Sequence, residues 1–430
     1  MKNNNLINAH NPIQSIVTDT LTTFIKEQAQ KMLRAAIETE VNDFISQHSS
    51  LLTYDGNQRI VRNGYLPERH VQTGVGDIKV KVPRIRDREA KTNPISFASN
   101  LVPKYMRRSA TLDVLLPLLY LKGVSTGDFQ SSLAPILGSN ANNLSANTIT
   151  RLKNGWHDDY LSWQKRSLAD KHYVYWWVDG IYLKARMEDD KTCMLVIIGA
   201  DETGRKELVG LLDGYRESKD SWRELLLKLQ ERGLKKFPVL AVGDGALGFW
   251  GALNELSPNT KHQRCWVHKT ANILDKMPKS QHEQAKKLIH DIYLAATKKD
   301  ALQAWDGFIK RYDAKYPKAV ECLLKDKESL LTFYDFPAEH WVHLRTTNPI
   351  ESTFATVRHR TKKSKNCHSR TTIIACVFKL ILEAEKRWKC LCGKKRIAQV
   401  INLEQFIDGI HKDEIIYDEN NNNLDNKKAA

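Results

Sequence analysis

The 430-residue sequence predicts an α/β protein: a mixed β-sheet flanked by helices, with an α-helical insertion and a mainly helical N-terminal region. Three observations carry this expectation. Between Lys171 and His268, short apolar runs such as YVYWWVDG and FPVLAVGDG alternate with amphipathic stretches such as SWRELLLKLQERG. That is the pattern of strands and helices packed in layers. Residues 269–335 are polar, helix-spaced and without a strand-like run. Upstream of Lys171, helical periodicity dominates apart from one hairpin signal.

Taken in order, residues 1–60 form a helical region. Apolar residues from Ile13 to Ile45 recur at helical spacing, as one or two amphipathic helices suited to a core or a dimer face. Residues 61–165 form a basic region, with twelve Lys or Arg against four acids between Arg59 and Arg108. A solvated basic surface and a DNA-contacting module both account for that excess. Gly-Val-Gly-Asp before the alternating Ile78, Val80 and Val82 reads as a hairpin turn. A helix then stops at Gly123, a second is capped near Ser125 or Thr126, and a third starts at Ser145. Short helices joined through glycine are compatible with a helix-turn-helix, whose last helix would offer Asn147, Thr148, Arg151 and Lys153 to a major groove.

Residues 171–268 supply the first part of the sheet. Three consecutive strands, the second and third joined by a turn at Asp201 to Gly204, precede a helix stopped by Gly233, a strand, a helix and a short strand KHQRCWVH. The helical insertion of residues 269–335 follows. Residues 336–400 complete the core with a basic helix and an apolar one, and residues 401–430 end in a low-complexity tail expected to be partly disordered.

The formal net charge is +16, which favours a polyanionic partner. No apolar run is long enough for a membrane span, and the start MKNNNLINAHNPIQ lacks a signal-peptide core, so the expected partner is nucleic acid inside the cell. Seven cysteines in no regular framework suit a reducing compartment.

Three acids stand out. Asp179 and Asp244 each close an apolar run and precede a glycine, which lets a ligand approach closely, although either alone is an ordinary turn residue. Glu351 is the one acid between Glu339 and Glu383, set among Arg345, Arg358, Arg360, Lys362, Lys363 and Lys365. Asn348 and Pro349 suit a helix start, so Glu351 falls in a first turn, where the helix dipole also favours an acid. Several carboxylates converging beside cations would suit phosphodiester cleavage: two divalent cations activate the attacking oxygen and stabilise the leaving one, and oxygen ligands select Mg²⁺ or Mn²⁺. Acids at Glu188, Asp189, Asp190, Asp201, Glu202, Asp213 and Asp220 read as solvated turn or helix-start residues. Trp176, Trp177, Trp250 and Trp266 read as core, and Trp341 as a candidate support for distorted DNA.

The combination VDGIYLK, GDGALGFWGAL, HQRCWVHKTANIL and HLRTTNPIESTFATVRHRTKKSK, within roughly residues 60–395, resembles the Mutator-type transposases of bacterial insertion sequences. The resemblance implies a ribonuclease-H-like core with an Asp-Asp-Glu (DDE) triad, carried over as Asp179, Asp244 and Glu351, and two Mg²⁺ or Mn²⁺ ions per site. It also implies a helical insertion before Glu351, Arg358 as the basic position on the same helix, and a Cys-x-x-His element at Cys265 and His268. The implied partners are terminal inverted repeats and target DNA, with a homodimer or higher oligomer and no membrane, in the bacterial cytoplasm at the nucleoid. Cys265 is expected to be buried in a strand; Cys390, Cys392, His340 and His343 could complete a zinc site with Cys265 and His268 only if they came close in space. Asn366, Cys367 and His368 depart from the small residues usual in that loop. A ribonuclease-H-like DNA nuclease and an inactive DNA-binding regulator derived from a transposase are the competing functions.

Overall fold

The computed structural model describes residues 20–89, 94–124, 128–129, 132–133, 146–184, 191–245, 247–363 and 369–416. The chain divides into two compact units, residues 1–153 and 154–430.

In the first unit, α1 (Thr20–Gln47) is one long helix that buries Ile37 and Val41 while leaving Leu21, Phe24 and Met32 exposed. Four short strands follow: β1 (Ile60–Tyr65), β2 (Arg69–Thr73), β3 (Gly76–Val80) and β4 (Pro83–Asp87). β2 and β3 form an antiparallel hairpin across Gly74 and Val75, and β1 pairs with β4. Ile37, Val71, Ile78, Val80, Val82 and Val102 make a small core. α2 (Ala110–Leu121) ends at Gly123, which adopts φ +111°, the left-handed geometry that glycine tolerates. α3 (Ala146–Gln164), which runs across the boundary at Lys153, is the predicted third helix, but Ser145 and the connection that would define a helix-turn-helix lie outside the described residues.

The second unit is built on a five-stranded mixed sheet in the order β7-β6-β5-β8-β9. β5 (Tyr173–Lys184), β6 (Lys191–Asp201) and β7 (Lys206–Gly214) are an antiparallel meander turning at Asp201 to Gly204. β8 (Leu240–Gly243) and β9 (Lys261–Arg264) join it in parallel, each after a helical crossover: α4 (Lys219–Glu231) before β8, α5 (Leu247–Leu256) before β9. One face of β5 sends Trp176 and Val178 into a cluster with Trp222, Leu225, Leu226, Phe249 and Leu253, which covers the sheet with α4 and α5.

Beyond β9 the chain is helical through α6 (Trp266–Leu274), α7 (Lys279–Tyr293), α8 (Lys298–Tyr312), α9 (Pro317–Leu324) and α10 (Lys327–Leu331). It returns to the edge strand, where buried Gln263 accepts from the Phe333 N–H and donates to the Leu330 carbonyl. α11 (Trp341–Leu344), α12 (Asn348–Lys363) and α13 (Arg370–Glu385) finish the layer opposite α4, with α12 on β5 and α13 on β7. A small hairpin, β10 (Phe406–Ile407) with β11 (Ile410–His411), lies near the C-terminus. The tail from residue 417 lies outside the described residues. Among the described residues, no helix is long and apolar enough to cross a membrane.

Two sequence expectations change. Asp179 does not close its strand: β5 runs on to Lys184, and Asp179 pairs with Val196 inside it. The reason is that the β5–β6 hairpin is longer than the parallel strands, so β8 stops beside Val178 while β5 continues. Cys265 is buried, but it caps α6 rather than lying in a strand, because the β8–β9 ladder ends at Arg264 and the Lys269 N–H already bonds the Cys265 carbonyl.

Candidate active site

Strand alternation decides which side of the sheet each acid faces. Tyr175, Trp177 and Asp179 share the face away from the Trp222 cluster. Tyr175 meets His340 Nδ1 at 2.7 Å and Trp177 donates to the His343 carbonyl at 2.8 Å. Val178 is in register with Gly243, and Gly243 with Arg264, so Asp179 continues β5 while Asp244 and Cys265 are the first residues past the ends of β8 and β9. Gly243 is required by this packing: a β-carbon there would come within 2.8 Å of Val178 Cγ2.

Asp179 lies in a largely desolvated position. Burial pushes its carboxyl up to about 7, Glu217 and Asp244 add to the shift, and His268 and the Gly180 N–H oppose it. Asp244 accepts from the Gly245 N–H, and Arg264 Nη2 approaches its Oδ1 at 3.8 Å. Arg264 bridges onward to Asp326, which also receives buried Lys269. Gly245 makes room for this arginine, since a β-carbon there would collide with the guanidinium.

Glu351 arrives from the opposite layer. The Ile350 and Glu351 N–H groups both donate to the Thr347 carbonyl, so the first turn of α12 closes on Thr347 rather than on Asn348. The Thr347 hydroxyl lies 2.9 Å from Glu351 Oε1 and 3.3 Å from Cys265 Sγ, and the Thr347 N–H also donates to that sulfur. His268 Nδ1 lies 3.8 Å from Glu351 Oε1. Its imidazole is pushed up to about 9, first by the hydrogen bond with Cys265 and further by the charges of Asp244 and Asp179. All three predicted acids therefore face one histidine. As a set they are not within ligand distance of one another; the described residues whose donor atoms all lie within 4.8 Å are Cys265, His268 and Glu351.

A fourth acid, Glu217, was not anticipated. Its carboxylate lies against Gly180, and burial followed by repulsion from Asp244 raises its pKa. In sequence it sits one residue before the Ser218 cap of α4, where an acid reads as a helix-start charge, and only the fold brings it to Gly180, on the sheet face opposite Asp179.

The basic residues separate. Arg358 is exposed on α12, whereas Arg360 is only 3% exposed and Arg345 is half-buried over the rings of Phe333 and Trp341. Arg151 is exposed on α3. Asn147 and Lys153 fall within α3, Lys362 and Lys363 within α12, and Lys365 outside the described residues. Trp341 is buried and donates to the Phe336 carbonyl, so it supports the core rather than a ligand. His340 and His343 bond the Gly393 carbonyl and the Cys392 N–H, away from any joint cluster with Cys265 and His268.

A five-stranded mixed sheet with helices on both faces and acids where its parallel strands stop defines an α/β protein. Comparison with known proteins places it further: the model of the Mutator family of transposases matches residues 1–390, and the chain belongs to that family. It is 50% identical over 288 residues to the transposase for insertion sequence element IST2 of Acidithiobacillus ferrooxidans, covering 65% of this chain and 95% of that protein. It is 51% identical over 286 residues to the transposase for IS6120 of Mycolicibacterium smegmatis, covering 66% and 88%. The transposase for IS905 of Lactococcus lactis is 29% identical over 356 residues, covering 80% and 88%.

Proposed function

We propose that this transposase uses a ribonuclease-H-like core and a DDE triad of Asp179, Asp244 and Glu351 to cut DNA at the terminal inverted repeats of an insertion sequence and join the ends to target DNA. The observation that supports the reading is that Asp179 and Asp244 each directly follow a residue of the paired couple Val178 and Gly243, and that both acids and Glu351 act on the same histidine. The donor chemistry fits a divalent cation. Asp179 is a carboxyl held largely out of water, with Asp244 among the charges acting on it, and carboxylate oxygens suit Mg²⁺ or Mn²⁺. Cys265, His268 and Glu351 give three donors, short of the four of a structural zinc site.

When bound, the cations, two in this reading, would supply Lewis-acid activation of the attacking and leaving oxygens. The chain's own residues do the rest. Asp179 presents oxygens from β5 and Asp244 from just past the end of β8, and Thr347 with Cys265 fixes the Glu351 carboxylate. Arg358 offers an exposed charge on the same helix for a backbone phosphate. Residues 61–165, including Asn147, Arg151 and Lys153, would read the DNA ends. Lys362, Lys363 and Lys365 would hold the strand being cut, while Arg345 and Arg360 act from the interior by seating α12. Synapsis of two ends calls for a homodimer or larger assembly.

The test is Mn²⁺-dependent nicking and strand transfer on DNA bearing the element's ends, with Asp179→Asn, Asp244→Asn and Glu351→Gln alongside. Loss of cutting with retained DNA binding supports the reading. Cutting by Asp179→Asn overturns its assignment, nicking without joining would indicate a nuclease, and binding without cutting by the unaltered chain would indicate a regulator.

A further inference from the structure

Residues 386–396 are a second basic run that the DDE centre leaves without a task. They include six Lys or Arg, and no acid falls between Glu385 and Glu404. We propose that the groove this run shares with Glu351 takes one nucleotide of single-stranded DNA beside the phosphate being cut, its base stacked on Trp388 and its backbone held by Lys389; this rests on the reading of the centre given above.

The groove has a volume of about 700 Å³ and is lined by Pro349 and Glu351 at the start of α12, Lys206 on β7, His343 on α11, and Trp388 with Lys389 just past α13. That volume is in the range of small-ligand sites. The wall formed by residues 389–393 is fixed to the core. Lys206 Nζ donates to the Lys389 carbonyl at 2.8 Å, and the Leu391 N–H donates to the Gly204 carbonyl at 2.8 Å. The Cys392 N–H donates to His343 Nε2 at 3.1 Å, and His340 Nε2 meets the Gly393 carbonyl at 3.1 Å. The wall is therefore in place before any ligand arrives, and little ordering is left for binding to impose.

Trp388 differs from the tryptophans that build this unit. Trp176, Trp177, Trp222, Trp266 and Trp341 are buried, and Trp250 packs on Phe249 and His262. Trp388 is half-buried on the groove, and among the described residues no ring or cation lies over it. A free indole in the groove that holds Glu351 suits an unpaired base, because every base has a π-face and stacking tolerates any sequence. Bases inside a duplex are already stacked and would not use it. On either side of Trp388, Arg387 and Lys389 are exposed and, among the described residues, pair with no acid, whereas Lys386 and Arg396 pair with Glu383 and Glu414. Unpaired cations flanking an indole supply what a single strand needs, charge for its backbone and a ring for its base.

The experiment measures binding of the full chain, without divalent metal, to DNA bearing the element's ends, with a single abasic nucleotide moved stepwise across the element's boundary. In the parent, removing the base at one position is expected to weaken binding about 10-fold. Trp388→Ala is expected to lose the same affinity on intact DNA and nothing further on that abasic DNA, while Trp388→Phe behaves like the parent. Lys389→Gln should weaken binding to all these DNAs alike and lower the salt slope by about one. If Trp388→Ala weakens every DNA alike, abasic or intact, or changes none, the nucleotide subsite is overturned. Cutting by Asp179→Asn, measured with Mn²⁺, separates the two readings. If that variant is inactive while Trp388 acts independently of the base, the triad stands and the subsite is wrong. If it still cuts while Trp388 acts only where the base is present, the subsite stands and the assignment of Asp179 is wrong.

Discussion

The two faces of β5 differ within a single residue step. Trp176 and Val178 enter a dry cluster closed by Trp222, Phe249 and Leu253. Trp177 and Asp179, their neighbours in sequence, face a layer of hydrogen-bonded polar groups and acids. The dry face gains stability from apolar area removed from water, whereas the acidic face spends part of it on charges held apart from solvent. One strand thus joins residues that hold the unit together to a carboxyl that strains it, and replacing Asp179 should act with opposite sign to replacing a residue of the dry cluster.

The largest effect should come from the dry face. Trp222→Ala is expected to cost about 3–5 kcal/mol in urea unfolding, because a fully buried indole leaves a cavity. Asp179→Asn should act the other way on the metal-free protein. A carboxyl held at about 7 against an ordinary 3.8 keeps its proton longer when folded, so stability falls as pH rises between those values. Removing it should recover up to about 4 kcal/mol at pH 8, read as a higher unfolding midpoint; no gain would break the contrast between the faces. His268, held at about 9 against 6.5, extends the same decline upward, so its stabilisation is complete below pH 6.5 and lost through pH 9. The metal-free parent should therefore unfold more readily at pH 9 than at pH 6, and His268→Gln should flatten the upper part of that curve. Thr347→Val is a smaller test: losing the hydroxyl that links Cys265 to Glu351 should lower the cleavage rate about 10-fold while costing about 1 kcal/mol of stability. Smallest is Arg370→Ala, which breaks a largely exposed pair with Asp213 and should change stability by less than about 1 kcal/mol.

The sheet was readable because its strands carry local signals. YVYWWVDG and FPVLAVGDG are apolar, β-branched or aromatic runs, and the Asp201–Gly204 turn and the Gly233 stop lie where the residues placed them. The runs that end at Asp179 and Asp244 were legible for the same reason. The true end of β5 was not, since it depends on how far β6 runs alongside, which no residue near Asp179 reports. Arg360 looked like Arg358 in sequence, but two residues along a helix turn the side chain by roughly 200° and bury one of them. Glu217 was missed because the glycines it packs against, Gly180 and Gly248, are each far from it in the chain.

The helical arm between α6 and α10 leaves and rejoins the sheet at almost one point. Trp266, at its start, donates from its indole to the Leu330 carbonyl at its end, and Gln263 on β9 holds both Leu330 and Phe333. A segment pinned at a single hinge of this kind closes its loop whatever its length, and the entropy of closure grows only slowly as residues are added. Residues added to or removed from the arm's far end should thus leave the register of β5, β8 and β9 intact.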